Sequence, residues 1–489
     1  MTTNSDTNNH AKHYINGEWI DSGEKKETIN PSTGEVIGTY VEGGKSEMQD
    51  AIKAAKDTFK NTDWKTNREL RYKVLTKLAD AFEARQDELA TMIATENGKL
   101  LGEAQFEASF VMPNIRFAAS KIYTEFGRTA EWSAGKYSIL IKEAVGVAGI
   151  STPWNSPAAL LIRSLAPALA AGCTTVLKMP GQTALSNTLI MEIIASVEEL
   201  PKGVVNMIIG ERDALETLVE HPDVPTISFT GSTSTGRALM KEGADELKLF
   251  GLELGGKTPH IIFPDTDIDA CLPVVEKSLT VFTGQFCMTG SRILVHKDIA
   301  DEVRDKLSKR LENVKVGNAL DSNNDMGAMI DQSNVERVDK MVQDAINKGA
   351  KVLVRGGPIN EGEQSKGAFY QPTLLEVDDS QADIVQQEVF GPVLALQVFE
   401  TEREAIEMAN ATEYGLSACV WTQDLDRSFR VAREVEAGTI WFNDWAVMRD
   451  EFEEGGYKQS GVGRLRGQST LEDFIEVKHI VLQSGVVGK

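Results

Sequence analysis

A chain of 489 residues is longer than one hydrophobic core usually serves, so two or three domains are expected. Its net charge of −22, from 51 basic and 73 acidic residues, argues against a nucleic acid or an anionic membrane surface as the main partner. Four cysteines without paired spacing, and no clustered Cys/His ligand set, argue against a disulfide scaffold and a bound metal and for free thiols in the cytoplasm.

In chain order, Met1 to His10 is polar, lacks the apolar run of a secretory signal and reads as a loose tail. Trp19 to Thr39 alternates short strand-like pieces around a turn at Asn30-Pro31-Ser32-Thr33-Gly34. Asp50 to Phe59 and Arg68 to Asn97 have helical periodicity. Lys136 to Lys142 alternates as a strand. From Val145 the pattern becomes β-branched runs followed by helices: strands at Val145–Ile150, Thr174–Lys178, Val204–Ile209 and Thr226–Phe229, helices at Pro157–Ala171 and Ser186–Glu199. That alternation predicts a parallel, doubly wound α/β sheet whose ligands sit at the C-terminal strand ends. The most apolar stretch, Ala144 to Leu169, is interrupted by Pro153, Asn155, Pro157 and Arg163, and so does not read as a membrane span. A second alternating region runs from about Lys257 to Gly455, with strands at Ile293–Val295 and Leu416–Thr422 and a helix at Ile299–Leu311. Lys136–Lys142 and a terminal strand, Phe474–Leu482, fit neither sheet. An unpaired strand is a liability, so both are expected to build an oligomer contact.

Five motifs carry chemistry. Cys287 follows the Gly284-Gln285 turn, where a thiol reads as a nucleophile rather than the usual inert core cysteine. The six histidines form no Cys/His signature, which weakens a cysteine-hydrolase reading. Glu253 lies between Leu252 and Leu254 and precedes Gly255-Gly256. An apolar setting would raise its pKa toward the value a general base needs, whereas most glutamates are simply solvated. Phe229-Thr230-Gly231-Ser232-Thr233 ends a strand and opens a helix, and reads either as a phosphate site or as a plain Ser-capped helix start. Ser151-Thr152-Pro153-Trp154-Asn155-Ser156-Pro157 is a rigid turn in which the Asn155 amide could donate to a developing oxyanion. Lys178 ends the next strand, where a cofactor would lie or where a lysine is merely solvated.

In this order, Pro153-Trp154-Asn155, Lys178, Phe229-Thr230-Gly231-Ser232-Thr233, Leu252-Glu253-Leu254-Gly255-Gly256-Lys257, Gly284-Gln285-Phe286-Cys287, Glu388-Val389-Phe390-Gly391-Pro392 and Gly455-Gly456-Tyr457-Lys458-Gln459-Ser460-Gly461 resemble the aldehyde dehydrogenase superfamily of NAD(P)-dependent, non-phosphorylating enzymes. The resemblance spans about Tyr14 to Leu482. It implies a Rossmann-like NAD(P)-binding domain (1–125 and 145–256), an α/β catalytic domain (257–460) and a small β oligomerisation arm (126–144 and 470–489) of a homodimer or homotetramer. It further implies that Cys287 attacks a small-molecule aldehyde, that Asn155 and the Cys287 backbone N–H hold the oxyanion, and that Glu253 activates water. Glu253 also favours hydrolysis over acyl transfer to coenzyme A. Ser151, Thr152, Trp154, Lys178, Gly181, Gly231, Ser232, Leu254, Glu388 and Phe390 would bind the coenzyme, NAD or NADP.

Three departures from the family pattern bear on specificity. Gly181 stands where NAD-preferring members carry a glutamate that repels a 2′-phosphate, so NADP is also expected, with Arg212 as a possible helper and Gly181→Glu as the change that would restore NAD preference. Ser156 replaces an aromatic residue beside Asn155. Glu453-Glu454 replaces Pro-Phe at the substrate entrance and disfavours anions, while Arg163 stands where relatives acting on succinic semialdehyde carry a carboxylate-binding arginine. A salt bridge between Arg163 and Glu454 would cancel both signals. The alternatives are a semialdehyde dehydrogenase using Arg163 as a carboxylate clamp and a non-catalytic binding protein on the same fold.

Overall fold

The computed structural model describes residues 9–485. Most of the expected tail (1–8) and the end of the expected arm (486–489) lie outside the described residues. Of the tail, His10 is already structured: His10–Ala11 pairs in parallel with Thr39–Tyr40.

Five parallel strands form the centre of an eight-stranded sheet, in the order Leu249–Glu253, Thr226–Thr230, Val147–Ser151, Thr174–Met179, Val205–Ile209. All but the first are buried along their whole length. That is why their sequences are unbroken β-branched and small-residue runs rather than alternating ones, since helices cover both faces of such a sheet. Antiparallel pieces close the edges, His13–Ile15 beside Val205–Ile209 and Gly461–Val462 beside Leu252 and Glu253. The register places Ser151 opposite Lys178 and Thr230 opposite Glu253. Four expected site residues or their neighbours therefore reach the same sheet edge. The order in which the chain adds its parallel strands reverses between Val147–Ser151 and Thr226–Thr230, the switch point at which doubly wound sheets open a crevice.

The helix Pro157–Ala171 has the boundaries expected. Pro157 sits in its first turn, where no backbone donor is needed, and Gly172 ends it at φ 103 in the left-handed region that glycine tolerates. Its nearly all-apolar sequence is explained by burial on most sides, against Leu101–Lys121 among others. The predicted helix Arg68–Asn97 is two, Arg68–Ala84 and Gln86–Asn97, broken at Arg85.

The second sheet has seven strands, six of them parallel, with Lys351–Val354 antiparallel at one edge. Gly255 to Thr258 connects the last strand of the first sheet to Pro259–Ile262 in the middle of the second. Cys287 lies just before the next strand, Arg292–His296. The two segments that fitted neither sheet pair with each other: Ile475–Gln483 runs antiparallel to Lys136–Ala144, which also pairs with Arg128–Ser133. Among the described residues no helix is long and apolar enough to cross a membrane, and no group of three or more His, Cys, Asp or Glu could hold a metal ion.

Candidate active site

Cys287 is presented by a strained loop. After the helix Ile268–Thr280, Phe282 (φ 51) and Thr283 (φ 57) both adopt the left-handed conformation, followed by Gly284 at φ 70. Each non-glycine residue there costs about 1–2 kcal/mol. Compensating bonds are local: the Phe282 N–H donates to Glu103 at 3.2 Å, Thr283 Oγ1 to Ala328 O at 3.2 Å, and the Ile330 N–H to Gln285 Oε1 at 3.0 Å. Two glycines are required by close approach. A Cβ on Gly284 would lie 2.4 Å from the Gly391 carbonyl carbon, and one on Gly256 would lie 2.2 Å from the Cys287 carbonyl oxygen. The glycine-rich segments thus let three loops meet at the thiol. Cys287 is half-buried, unlike the buried Cys173, Cys271 and Cys419. Burial pushes its thiol above the ordinary value, with Arg163 pulling the other way.

The Asn155 side chain is fixed toward this loop, its Nδ2 donating to Gln285 O at 3.0 Å, two residues before Cys287. Its turn is braced from behind by a buried ion pair. Lys99 Nζ donates to Glu107 Oε2 at 2.6 Å and to the Asn155 carbonyl at 2.5 Å, lies 3.4 Å from Ser156 Oγ, and sits over the Phe282 ring. Glu107 Oε1 accepts the Ala158 N–H at 2.9 Å, at the positive end of the Pro157–Ala171 helix. Breaking one half of such a pair costs about 3–5 kcal/mol, so the turn has little freedom.

Glu253 is 5 % exposed at the end of its strand. Burial raises its pKa to about 8 against the pull of Arg163, whose Nη1 is 3.9 Å from Glu253 Oε2. The same guanidinium donates from Nη1 to Glu454 Oε1 at 2.8 Å and from Nη2 to Thr230 Oγ1 at 3.2 Å. Arg163 and Glu454, opposed signals in the sequence, are therefore partners. Burial alone would raise Glu454, but Arg163 and Arg466 outweigh it and hold the carboxyl below the ordinary range. The other acids of this loop do not crowd the base: Glu453 is exposed and caps the Gln468 and Ser469 N–H groups, and Glu451 is exposed.

Most of the expected coenzyme residues lie at or just after the C-terminal ends of the first sheet's strands. Lys178 is 8 % exposed, and among the described residues its Nζ makes no hydrogen bond to protein. Burial lowers its pKa, opposed by Glu211 and Glu42. Ser232 caps the helix Thr233–Glu242 by accepting from the Thr235 N–H at 3.2 Å, so its oxygen already has a structural role. The Gly231 N–H donates to Glu253 O at 3.0 Å and the Leu254 N–H to Ser460 O at 2.9 Å, locking these strand ends together. Thr152 Oγ1 meets Met179 Sδ at 3.1 Å. Glu388 accepts the Gly256 N–H at 3.1 Å, and burial pushes its pKa up to about 7. Trp154 and Phe390 meet edge to face with ring centres 5.5 Å apart. An unpartnered buried cation, a helix N-terminus and a glycine cradle along one sheet edge fit a long anionic ligand such as a dinucleotide.

At Gly181 the structure departs from the sequence expectation. A Cβ there would lie 2.4 Å from Tyr40 Oη, so the tyrosine fills the space that a larger residue would take. A carboxylate is nevertheless present: Glu211 Oε1 accepts the Gly181 N–H at 3.4 Å. Glutamate at 181 would collide with Tyr40, and the expectation that Gly181→Glu would restore NAD preference is withdrawn. Arg212, the residue after Glu211, is exposed and paired with Glu216.

A cavity of about 850 Å3 has Cys287 in its wall. Phe106, Phe110, Phe282, Phe286, Trp445 and Met448 line it, with Ser156, Arg163, Glu454 and Arg466 toward its inner end. Its aromatic wall, together with Lys99, Glu107, Tyr40, Glu211 and Arg466, was not singled out in the sequence. For Glu211 a signal existed, its place directly after the strand end Ile209-Gly210; for the others none did, because their partners are distant in the chain.

Residues 19–480 match the sequence profile described as the aldehyde dehydrogenase family. The betaine aldehyde dehydrogenase of Bacillus subtilis is 36 % identical over 473 residues, covering 96 % of this chain and 96 % of that protein. The glutarate-semialdehyde dehydrogenase of Pseudomonas putida is 37 % identical over 473 residues, covering 96 % and 97 %. A crystal structure of betaine aldehyde dehydrogenase from Staphylococcus aureus in complex with NAD+ superposes with a TM-score of 0.94 at 34 % identity, covering 98 % of this chain and 96 % of that one.

Proposed function

The chain belongs to the aldehyde dehydrogenase family and has its α/β fold, and from this premise we propose that it is an NAD(P)-dependent enzyme that oxidises an uncharged, apolar aldehyde to the free carboxylic acid. The observation that carries this reading is the convergence on one loop of a half-buried Cys287, the Asn155 amide and, across Arg163, the buried Glu253.

In this reading Cys287 Sγ, once deprotonated, bonds to the aldehyde carbon. The Asn155 Nδ2 and the Cys287 backbone N–H stabilise the resulting oxyanion, an interaction stronger in the transition state than in the ground state and worth about 3–4 kcal/mol per donor. When bound, the nicotinamide coenzyme supplies the hydride acceptor that turns the thiohemiacetal into a thioester. Lys178 would hold its adenosine ribose, the Ser232 helix start its pyrophosphate, and Glu388 with Phe390 and Trp154 its nicotinamide end. Glu253 then takes a proton from water, whose oxygen bonds to the thioester carbon as the sulfur leaves. Among the described residues no histidine lines the cavity at Cys287, which supports Glu253 as the base.

The named relatives do not decide the substrate: one is named for a cationic aldehyde and another for an anionic one, at nearly equal identity. The aromatic cavity wall and the pairing of Arg163 with Glu454 favour an uncharged substrate over the semialdehyde alternative. The arrangement of the expected domains (1–125 with 145–256, 257–460, and 126–144 with 470–489) and a homodimer or homotetramer also belong to this proposal. The oligomer is supported by the outlying three-stranded sheet, which leaves Trp132, Val477 and Val481 exposed.

The test is NAD(P)H absorbance with butanal, benzaldehyde, betaine aldehyde and succinic semialdehyde, each with NAD and with NADP. Turnover of neutral aldehydes is expected to exceed that of charged ones; no turnover of any aldehyde by folded protein would overturn the reading. Glu211 places a carboxylate where a 2′-phosphate would arrive, so NAD is expected to be preferred. Glu211→Gln should raise the NADP-to-NAD ratio of kcat/KM by about tenfold; an unmoved ratio would remove Glu211 from coenzyme choice.

A further inference from the structure

A row of alternating charges runs inward from the protein's side to the catalytic base. Asp450 Oδ1 is 2.8 Å from Arg466 Nη1, Arg466 Nε is 2.8 Å from Glu454 Oε2, and Glu454 Oε1 is 2.8 Å from Arg163 Nη1, which lies 3.9 Å from Glu253 Oε2. Asn114 Nδ2 donates to Asp450 at 3.1 Å. Arg163, Glu454 and Arg466 are each less than a tenth exposed, yet all three line the cavity that ends at Cys287.

Among the described residues three cations line that cavity: Lys277, half exposed and 3.5 Å from Glu103, Arg466, held between Asp450 and Glu454, and Arg163, the buried one nearest Glu253. A planar fork in a largely apolar chamber binds a carboxylate well, because charge-assisted bonds gain strength where water is excluded. But Nη1 of Arg163 already donates one N–H to Glu454 and Nη2 one to Thr230. Among the described residues Nε has no hydrogen-bond partner. An anion approaching it would meet the Glu454 carboxylate beside the same guanidinium. The Glu454–Arg466 contact is short but poorly aligned, leaving Glu454 Oε2 and Arg466 Nε without hydrogen-bond geometry, so Arg163 is the stronger of the two partners of Glu454.

Resting on the reading of this cavity as an aldehyde site, we infer that Glu454 is its specificity-determining residue: an internal carboxylate that occupies the Arg163 guanidinium and thereby excludes aldehydes bearing an ω-carboxylate. Glu454 acts through Arg163 and touches none of the reacting atoms. Substrates end short of it, in the aromatic part of the chamber. Removing its charge while keeping its shape frees Nη1 for a substrate carboxylate and converts the same chamber into an acid-accepting one.

The experiment compares butanal with succinic semialdehyde, which have equal chain length and differ in the terminal charge. The wild-type protein is expected to favour butanal. Glu454→Gln should raise the succinic semialdehyde-to-butanal ratio of kcat/KM at least about tenfold, chiefly through a lower KM for the acid. Glu454→Asp, which keeps the charge, should restore the wild-type ratio. An unmoved ratio in folded Glu454→Gln, or an equal shift in Glu454→Asp, would overturn the inference. Should Glu454→Gln fail to fold with Arg163 unpaired, the double change Arg163→Gln with Glu454→Gln serves instead: its ratio should stay at or below the wild-type value, and a rise would show that the acid is bound elsewhere. Wild-type preference for succinic semialdehyde would overturn the inference alone. Silence with both aldehydes would overturn the reading of the cavity as well.

Discussion

Replacing the proposed nucleophile, Cys287→Ala, is expected to lower NAD(P)H formation by at least about 10,000-fold, because the covalent intermediate of the proposed reaction is built on its sulfur. The other thiols are buried elsewhere, and burial raises the pKa of Cys173 to about 12. None of them can substitute. Among the described cysteines only the half-buried Cys287 lines the cavity and has the Asn155 amide held against its loop. Burial raises its pKa in the free protein, so the thiol must lose its proton before it attacks. The measurement is steady-state NAD(P)H production together with thiol titration. The variant should lose both turnover and the one readily alkylated thiol. Retained turnover would mean that the reaction runs through a different group.

The second large effect is expected from Glu253→Gln, which should slow the steady state by about 100- to 10,000-fold, the range for loss of a positioned general base. The loss should fall on hydrolysis of the thioester more than on its formation, so a burst of NAD(P)H precedes a slow steady rate. The pH dependence follows from the direction of the shift. Glu253 works as a base only when deprotonated, and burial raises its pKa to about 8. Hydrolysis should therefore rise as pH increases through about 8 and fall below it. Arg163, Glu454, Arg464 and Asp473 all act on this group, and the two arginines moderate the rise. In the Gln variant that limb should vanish. Stopped-flow traces between about pH 6 and 9 measure both, using the value expected for Glu253 as the midpoint. An unchanged steady rate without a burst, or the same limb in the variant, would show that another base serves.

The local signals were read well where one residue's chemistry fixes a backbone. Pro157 and Gly172 bound their helix because proline needs no donor in a first turn and glycine accepts the left-handed cap. The strand runs from Thr174 and Thr226 were legible because both faces are buried. The segments Lys136–Lys142 and Phe474–Leu482 looked unpartnered because nothing in either says that it pairs with the other; their residue-by-residue register exists only in the folded chain.

The chain's own order of residues determined the family and the alternation of strands and helices, and it put forward Cys287, Glu253 and Asn155 as the candidate catalytic residues, since each rests on residues adjacent in sequence whose chemistry or backbone freedom is local. What only the tertiary structure decided are the relations across distance. Tyr40 fills the space beside Gly181 while Glu211 supplies a carboxylate there. Lys99 and Glu107 brace the turn of Asn155 from another helix. Arg163 meets Glu454, 291 positions along the chain, and the two signals that conflicted in the sequence cancel as one ion pair. Charge is additive and long-ranged inside a low-dielectric interior, so the meaning of a buried ionic group is set by its neighbours in space, and the sequence does not specify those until the chain has folded.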